Sequence, residues 1–221
     1  MRKVYYNCAP KSYCGLAALV LPLFFAVTVA QSPQSIKGAS VDAHEGMTIS
    51  AEPWTTAEQY KAKFPKNSPI SAGVLAIHVS FTNSTDQSIR VGLGTIRLSL
   101  SVDQDNRQQL APLSSEQLAD VVLRPKTKDP TTRARIPLPI PSSGGGRDKK
   151  WQQLKRDAQE ASFQDGVIAP HKTVEGLLYF DLQGQFDLLE TAHLYIPDLT
   201  ALETNHELLY FDLDLSHTAQ R

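Results

Sequence analysis

The chain has 221 residues, 41% of them hydrophobic and 20% charged, with a formal net charge of −1 and two cysteines. That length suits one domain with a sound hydrophobic core. The near-neutral charge excludes the electrostatic footprint of a nucleic-acid binder or of a protein held to an anionic membrane surface.

Residues 1–30 start with Arg2, Lys3 and Lys11, continue as an apolar run over 15–29, and end on the small residue Ala30 before polar Gln31. These three zones are the layout of a secretory signal peptide, with cleavage expected after Ala30. The apolar run falls short of the roughly 20 residues that span a hydrocarbon core, and Pro22 interrupts it, so a retained membrane anchor is the weaker alternative. Cys8 and Cys14 both fall in this segment, which predicts a mature chain without disulfide or thiol nucleophile and without a stable membrane span. Cleavage would remove three of the 22 basic residues and none of the 23 acidic ones, leaving about −4. The expected address is the periplasm or the cell exterior.

Residues 31–46 are rich in Ser, Gln, Ala and Gly and predict a flexible leader. A single domain is expected over 47–221. Met47, Ile49 and Ala51 alternate with polar residues as a first strand, and Thr55-Thr56-Ala57-Glu58 has a capping-box pattern opening a short helix that carries Tyr60 and Phe64 on one face. Strand alternation is clearest in Leu75, Ile77, Val79 and Phe81, then in Ile89, Val91 and Leu93, then in Ile96, Leu98, Leu100 and Val102 opposite Thr95, Arg97, Ser99 and Ser101.

The pattern changes over 114–164. Ser114 and Gln117 are spaced as a capping box before a short helix, residues 124–150 hold five prolines and three consecutive glycines and predict a long loop, and 151–163 predict a second helix with Trp151, Leu154, Ala158 and Ala161 on one side. Strand character returns at Val167 and around Leu194 and Ile196. The hexapeptide Leu177-Leu178-Tyr179-Phe180-Asp181-Leu182 recurs as Leu208-Leu209-Tyr210-Phe211-Asp212-Leu213. Either the two copies are equivalent strands of one sheet, or they recur by chance in a strand-biased composition. The fold expected is mostly β, an immunoglobulin-like antiparallel β-sandwich with a helical and proline-rich insertion; a closed barrel with a helical lid is the competitor.

Motifs for chemistry are sparse. His206-Glu207 opens like a zinc-protease helix, but Tyr210 stands where the second histidine belongs. The remaining histidines lack ligand spacing, so no metal and no cofactor are expected. Asp103, Asp105 and Asn106 read as a hairpin turn rather than a calcium loop, and Gly92-Leu93-Gly94 lacks the context of a phosphate loop. Asn83-Ser84-Thr85 fits a glycosylation acceptor in an exposed turn. Asp181 and Asp212 would form an acid/base pair only if the hexapeptide strands were neighbours. The binding residues expected are Tyr179, Tyr195 and Tyr210, as an aromatic patch on the face opposite the core, with Trp151 beside them. The alternative is that the Trp151 helix buries that face.

The run Ile168-Ala169-Pro170 through Val174-Glu175-Gly176-Leu177-Leu178-Tyr179-Phe180 resembles a pattern in small exported bacterial domains with immunoglobulin-like sandwiches: a proline turn, then a glycine-containing strand ending in an aromatic. The resemblance implies fold and compartment. The function expected is a non-enzymatic binding module whose partner is another envelope or secreted protein. A glycan hydrolase using paired carboxylates and a structural envelope subunit are the alternatives.

Overall fold

The computed structural model describes residues 38–103, 106–123 and 145–216. The expected signal segment with both cysteines, the first seven residues of the leader and most of the proline-rich loop lie outside them. Among the described residues no helix is long and apolar enough to cross a membrane.

In chain order the elements are β1 (Ser40–His44), β2 (Met47–Trp54), α1 (Ala57–Lys61), β3 (Val74–Asn83), β4 (Ile89–Val91), β5 (Arg97–Asp103), β6 (Asn106–Leu110), α2 (Ser115–Val122), α3 (Gly145–Ala161), β7 (Gly166–Ile168), β8 (Thr173–Asp181), β9 (His193–Ile196), β10 (Thr200–Ala201), β11 (His206–Glu207) and β12 (Phe211–Asp214). The chain is mostly β. Its strands form three antiparallel sheets, ordered β1-β2-β3-β8, β11-β10-β4-β7 and β12-β9-β5-β6. In the second and third sheets, β4 leads into β5, β9 into β10 and β11 into β12, and the three pairs lie side by side in the same order. These two sheets are therefore successive lengths of one interrupted layer, broken at the 3₁₀ turn Leu93–Thr95.

The alternation read from the sequence has a direct structural counterpart. Ile49, Leu75, Ile77, Phe81, Leu178 and Phe180 of the first sheet share one core with Ile89, Leu98, Leu194, Ile196, Phe211 and Leu213 of the others. The opposite face of the first sheet is apolar too, at Val74, Ala76, Leu177 and Tyr179. It packs under Tyr60, Phe64, Leu118, Leu154 and Ala158 from the helical segments. The helices thus cover a sheet face that would otherwise be exposed.

Several expectations need correction. The leader was expected to run flexibly to Gly46, yet Ser40–His44 pairs with β2 across a two-residue turn in which Glu45 (φ 49) and Gly46 (φ 76) both adopt left-handed backbone. That is the geometry favoured between twisted antiparallel strands. Strand β1 has little apolar pattern because its stability comes from pairing and from the β1–β12 seam. There the Asp42 and Glu45 carboxylates accept from the N–H groups of Asp212 (3.2 Å) and Leu209 (2.7 Å), and the His44 ring stacks on Phe211 at 3.8 Å. Helix α3 starts at Gly145 rather than Trp151, since Gly145 and Gly146 occupy its first turn before stronger helix formers follow. The first capping box sits one residue later than expected, with Thr56 as N-cap and the Gln59 Oε1 accepting from both Thr55 and Thr56 N–H at 3.0 Å. The Ser114–Gln117 box forms as expected.

Strand β8 is an edge, and the chain covers it. Phe163 N–H donates to the Leu177 carbonyl (3.0 Å) and Leu113 N–H to the Tyr179 carbonyl (2.7 Å), which occupies groups that would otherwise template aggregation. Gly176 permits this approach: a Cβ there would lie 2.4 Å from the Phe163 backbone nitrogen and 2.5 Å from its Cα. Gly176→Ala is therefore expected to lower stability by about 1–3 kcal/mol, as overpacking does, with a lower urea midpoint. An unchanged midpoint would contradict the contact.

Tyr60 bridges the last pair of the β2–β3 ladder, Trp54 and Ala76. Its hydroxyl accepts from Ala76 N–H at 2.8 Å and donates to the Trp54 carbonyl at 3.0 Å, and burial pushes its pKa up to about 12 from 10.0. The unfolded chain releases this proton first, so the Tyr60 contribution to stability is constant below pH 10 and is lost as pH rises from about 10 towards 12. Tyr60→Phe is expected to cost about 1–3 kcal/mol at neutral pH, because the buried Ala76 N–H loses its acceptor, and to lessen the alkaline decline, leaving the part due to buried Tyr179. Denaturant titrations at neutral and alkaline pH check both parts.

Candidate functional site

The four candidate residues fall in two places. Tyr179 is 1% exposed. It packs in the helix-covered core with Leu154, Ala158 and Trp151, meets Phe64 edge-on with ring centroids 6.0 Å apart, and directs its hydroxyl at the Ala158 carbonyl at 3.4 Å. Desolvation raises its pKa well above the usual tyrosine value. Trp151 is partly buried; its indole N–H donates to Asp120 of α2 at 2.8 Å, and the Lys155 ammonium lies 5.4 Å from its ring centroid. The expected patch therefore loses Tyr179 and Trp151, which pack the insertion onto the first sheet.

Tyr195 and Tyr210 lie on the other layer and remain accessible, at 36% and 57% exposure. Their rings touch, with centroids 5.3 Å apart and planes inclined by 42°. Strand register explains what surrounds them. Period two sends His193 and Tyr195 outward from β9 while Leu194 and Ile196 go to the core. Across the third sheet Tyr195 is opposite Asp212 on β12 and Arg97 on β5. His193 is opposite Asp214 and Ser99, Ser99 is opposite Gln109, and Ser101 is opposite Arg107.

These outward side chains line an open groove of about 580 Å³ that runs past Tyr195, with Arg107, Gln109, His193 and Asp212 on its walls. The His193 Nδ1 and the Asp212 Oδ1 are hydrogen-bonded at 3.2 Å. The Thr191 hydroxyl spans the groove wall, accepting from Ser101 N–H at 3.2 Å and donating to the Ser101 carbonyl at 3.0 Å. Ser99 stands across the strand from His193. The groove has fixed polar groups and an aromatic wall, which suits recognition.

The sequence pointed to Tyr195 and Tyr210 but missed His193, Arg107 and Gln109 as their neighbours. Outward positions were legible from alternation; which strands would pair was not.

The other candidate chemistry separates. The hexapeptide copies lie in different sheets, since β8 pairs with β3 and β12 with β9. Asp181 instead accepts from Gln183 N–H at 3.0 Å in a turn, away from any partnership with Asp212. The copies differ in burial as well: Leu178 and Tyr179 are buried, whereas Leu209 is 65% exposed beside Tyr210. His206-Glu207 forms strand β11, and among the described residues no group of three His, Cys, Asp or Glu is placed to hold a metal. Asn83 is not exposed; its amide donates to the Gln87, Ile168 and Ala169 carbonyls and its oxygen accepts from Thr85, so burial closes the glycosylation acceptor.

Truncating the two kinds of tyrosine separates them energetically. Tyr179→Ala is expected to cost about 3–5 kcal/mol, as loss of a large core aromatic does, while Tyr210→Ala stays within about 0.5 kcal/mol of the native chain. Chemical denaturation of both variants checks this, and equal costs would contradict the assignment.

No family model matches the chain, and no curated protein matches it in sequence. Among solved structures it is similar to a functionally unknown protein from Listeria monocytogenes EGD-e, with 13% identity over 71% of this chain and 70% of that one, at a TM-score of 0.33.

Proposed function

We propose that the chain is an exported, non-catalytic binding module built on an immunoglobulin-like sandwich, and that it binds through the outward face of the β12-β9-β5-β6 sheet. The observation that carries the reading is the accessible Tyr195–Tyr210 pair, of which Tyr195 lines the groove and Tyr210 packs against it. Amphipathic aromatics held by a strand (Tyr195) or at its entry (Tyr210) give contact area at little entropic cost, and the surrounding polar groups fix orientation. The sandwich reading rests on the shared core between the first sheet and the interrupted layer. Export rests on the zones of residues 1–30 and on the resemblance to exported bacterial domains. A glycan hydrolase built on Asp181 and Asp212 lacks comparable support, because those carboxylates belong to strands of different sheets.

The test is retention of cell-surface material, separated into polysaccharide, protein and lipid, on the immobilised protein. The native chain and a Lys66→Ala control should retain one class that Tyr195→Ala/Tyr210→Ala loses. Equal retention by all three, or none by any, overturns the proposal.

A further inference from the structure

The geometry points to a neutral oligosaccharide as the ligand of the Tyr195–Tyr210 groove, an inference that rests on the binding-module reading and adds the ligand's chemical class. A sugar ring presents C–H groups on its faces and hydroxyls around its rim. It therefore needs an aromatic surface bordered by both donors and acceptors. The two tyrosines supply the first: their rings are accessible and in contact, with centroids 5.3 Å apart and planes inclined by 42°. The groove supplies the second, since Arg107 is donor only, Asp212 is acceptor only while ionised, and Gln109 and Ser99 do both.

Charge decides against polymers of one sign. Arg97 and Asp212 flank Tyr195 in one cross-strand row, and Arg107 and Asp212 both line the groove, so both signs are present and the face has no single-sign field that would gather a polyanion or a polycation. Composition decides against a folded protein partner. The groove wall carries Arg107, Asp212 and His193 beside Tyr195, whereas the centre of a stable protein interface is depleted of charge. Size agrees as well. Four strands at their usual spacing make a face roughly 14 Å across, and the groove of about 580 Å³ falls within the range of small-ligand sites.

The experiment is affinity electrophoresis of the protein in gels containing soluble neutral glucans, mannans, xylans or chitin oligomers, with polygalacturonate as the acidic comparison. Isothermal titration with the matching hexasaccharide then gives affinities. At least one neutral glycan should retard the native chain, with tenfold or greater loss of affinity in Tyr195→Ala/Tyr210→Ala and in Asp212→Asn. Thermal melting of each variant separates lost binding from lost folding, and Tyr195→Phe, which keeps the ring, should retain most of the affinity. Failure of every neutral glycan, or tighter and salt-sensitive binding of polygalacturonate, overturns the saccharide inference. If the same tyrosine variant loses a protein or lipid in the fractionation test, the binding face stands and only the ligand class falls. Glycan binding that survives loss of both tyrosines overturns both.

Discussion

Two-sided burial of the first sheet is the constraint on which the rest of the structure depends. Where β3 passes β8, Leu75 and Ile77 pair with Phe180 and Leu178 towards one core, while Val74 and Ala76 sit with Tyr179 and Leu177 towards the other. An antiparallel sheet can leave one face in water, but this stretch has no polar face to leave. It must be covered twice, by the interrupted layer on one side and by the helices on the other. The insertion is accordingly a structural layer. Gly176, Phe163 and Leu113 fasten it to the β8 edge through backbone contacts that no side chain at residue 176 would allow.

The opposite outer surface is under no such demand. The third sheet buries only its inward residues, so the positions facing away from the core tolerate hydroxyls, amides, charges and two exposed tyrosines. The same residue type thus plays opposite parts in one molecule. Tyr179 holds two layers together, while Tyr210, at the same place in the repeated hexapeptide, stands in solvent. What separates them is the neighbouring layer: α3 lies over β8 and nothing among the described residues lies over the Tyr195–Tyr210 pair.

Much of this was legible in the sequence where local physics decides. Alternation located the core residues of β2, β3 and β5, capping residues located α2, and the apolar stripe of Leu154 and Ala158 marked α3. The sequence was silent where partners decide. Ser40–His44 has too few apolar residues to announce a strand, and its identity comes from β2 and from the Asp42 and Glu45 contacts with the β12 segment. The hexapeptide invited an equivalence that sheet assignment removes. Asn83 looked like a turn residue, but three carbonyls converge on its amide only after β7 reaches β4. The groove was half legible, because its outward residues follow from period two while their juxtaposition follows from pairings between distant segments.

Chemical nitration of the folded protein, followed by peptide mass mapping, distinguishes the tyrosine face buried in the core from the one open to solvent. Tyr195 and Tyr210 should be modified under native conditions while Tyr60 and Tyr179 stay protected until denaturant unfolds the chain. Native-state modification of Tyr179 at the rate of Tyr210 would contradict that distinction.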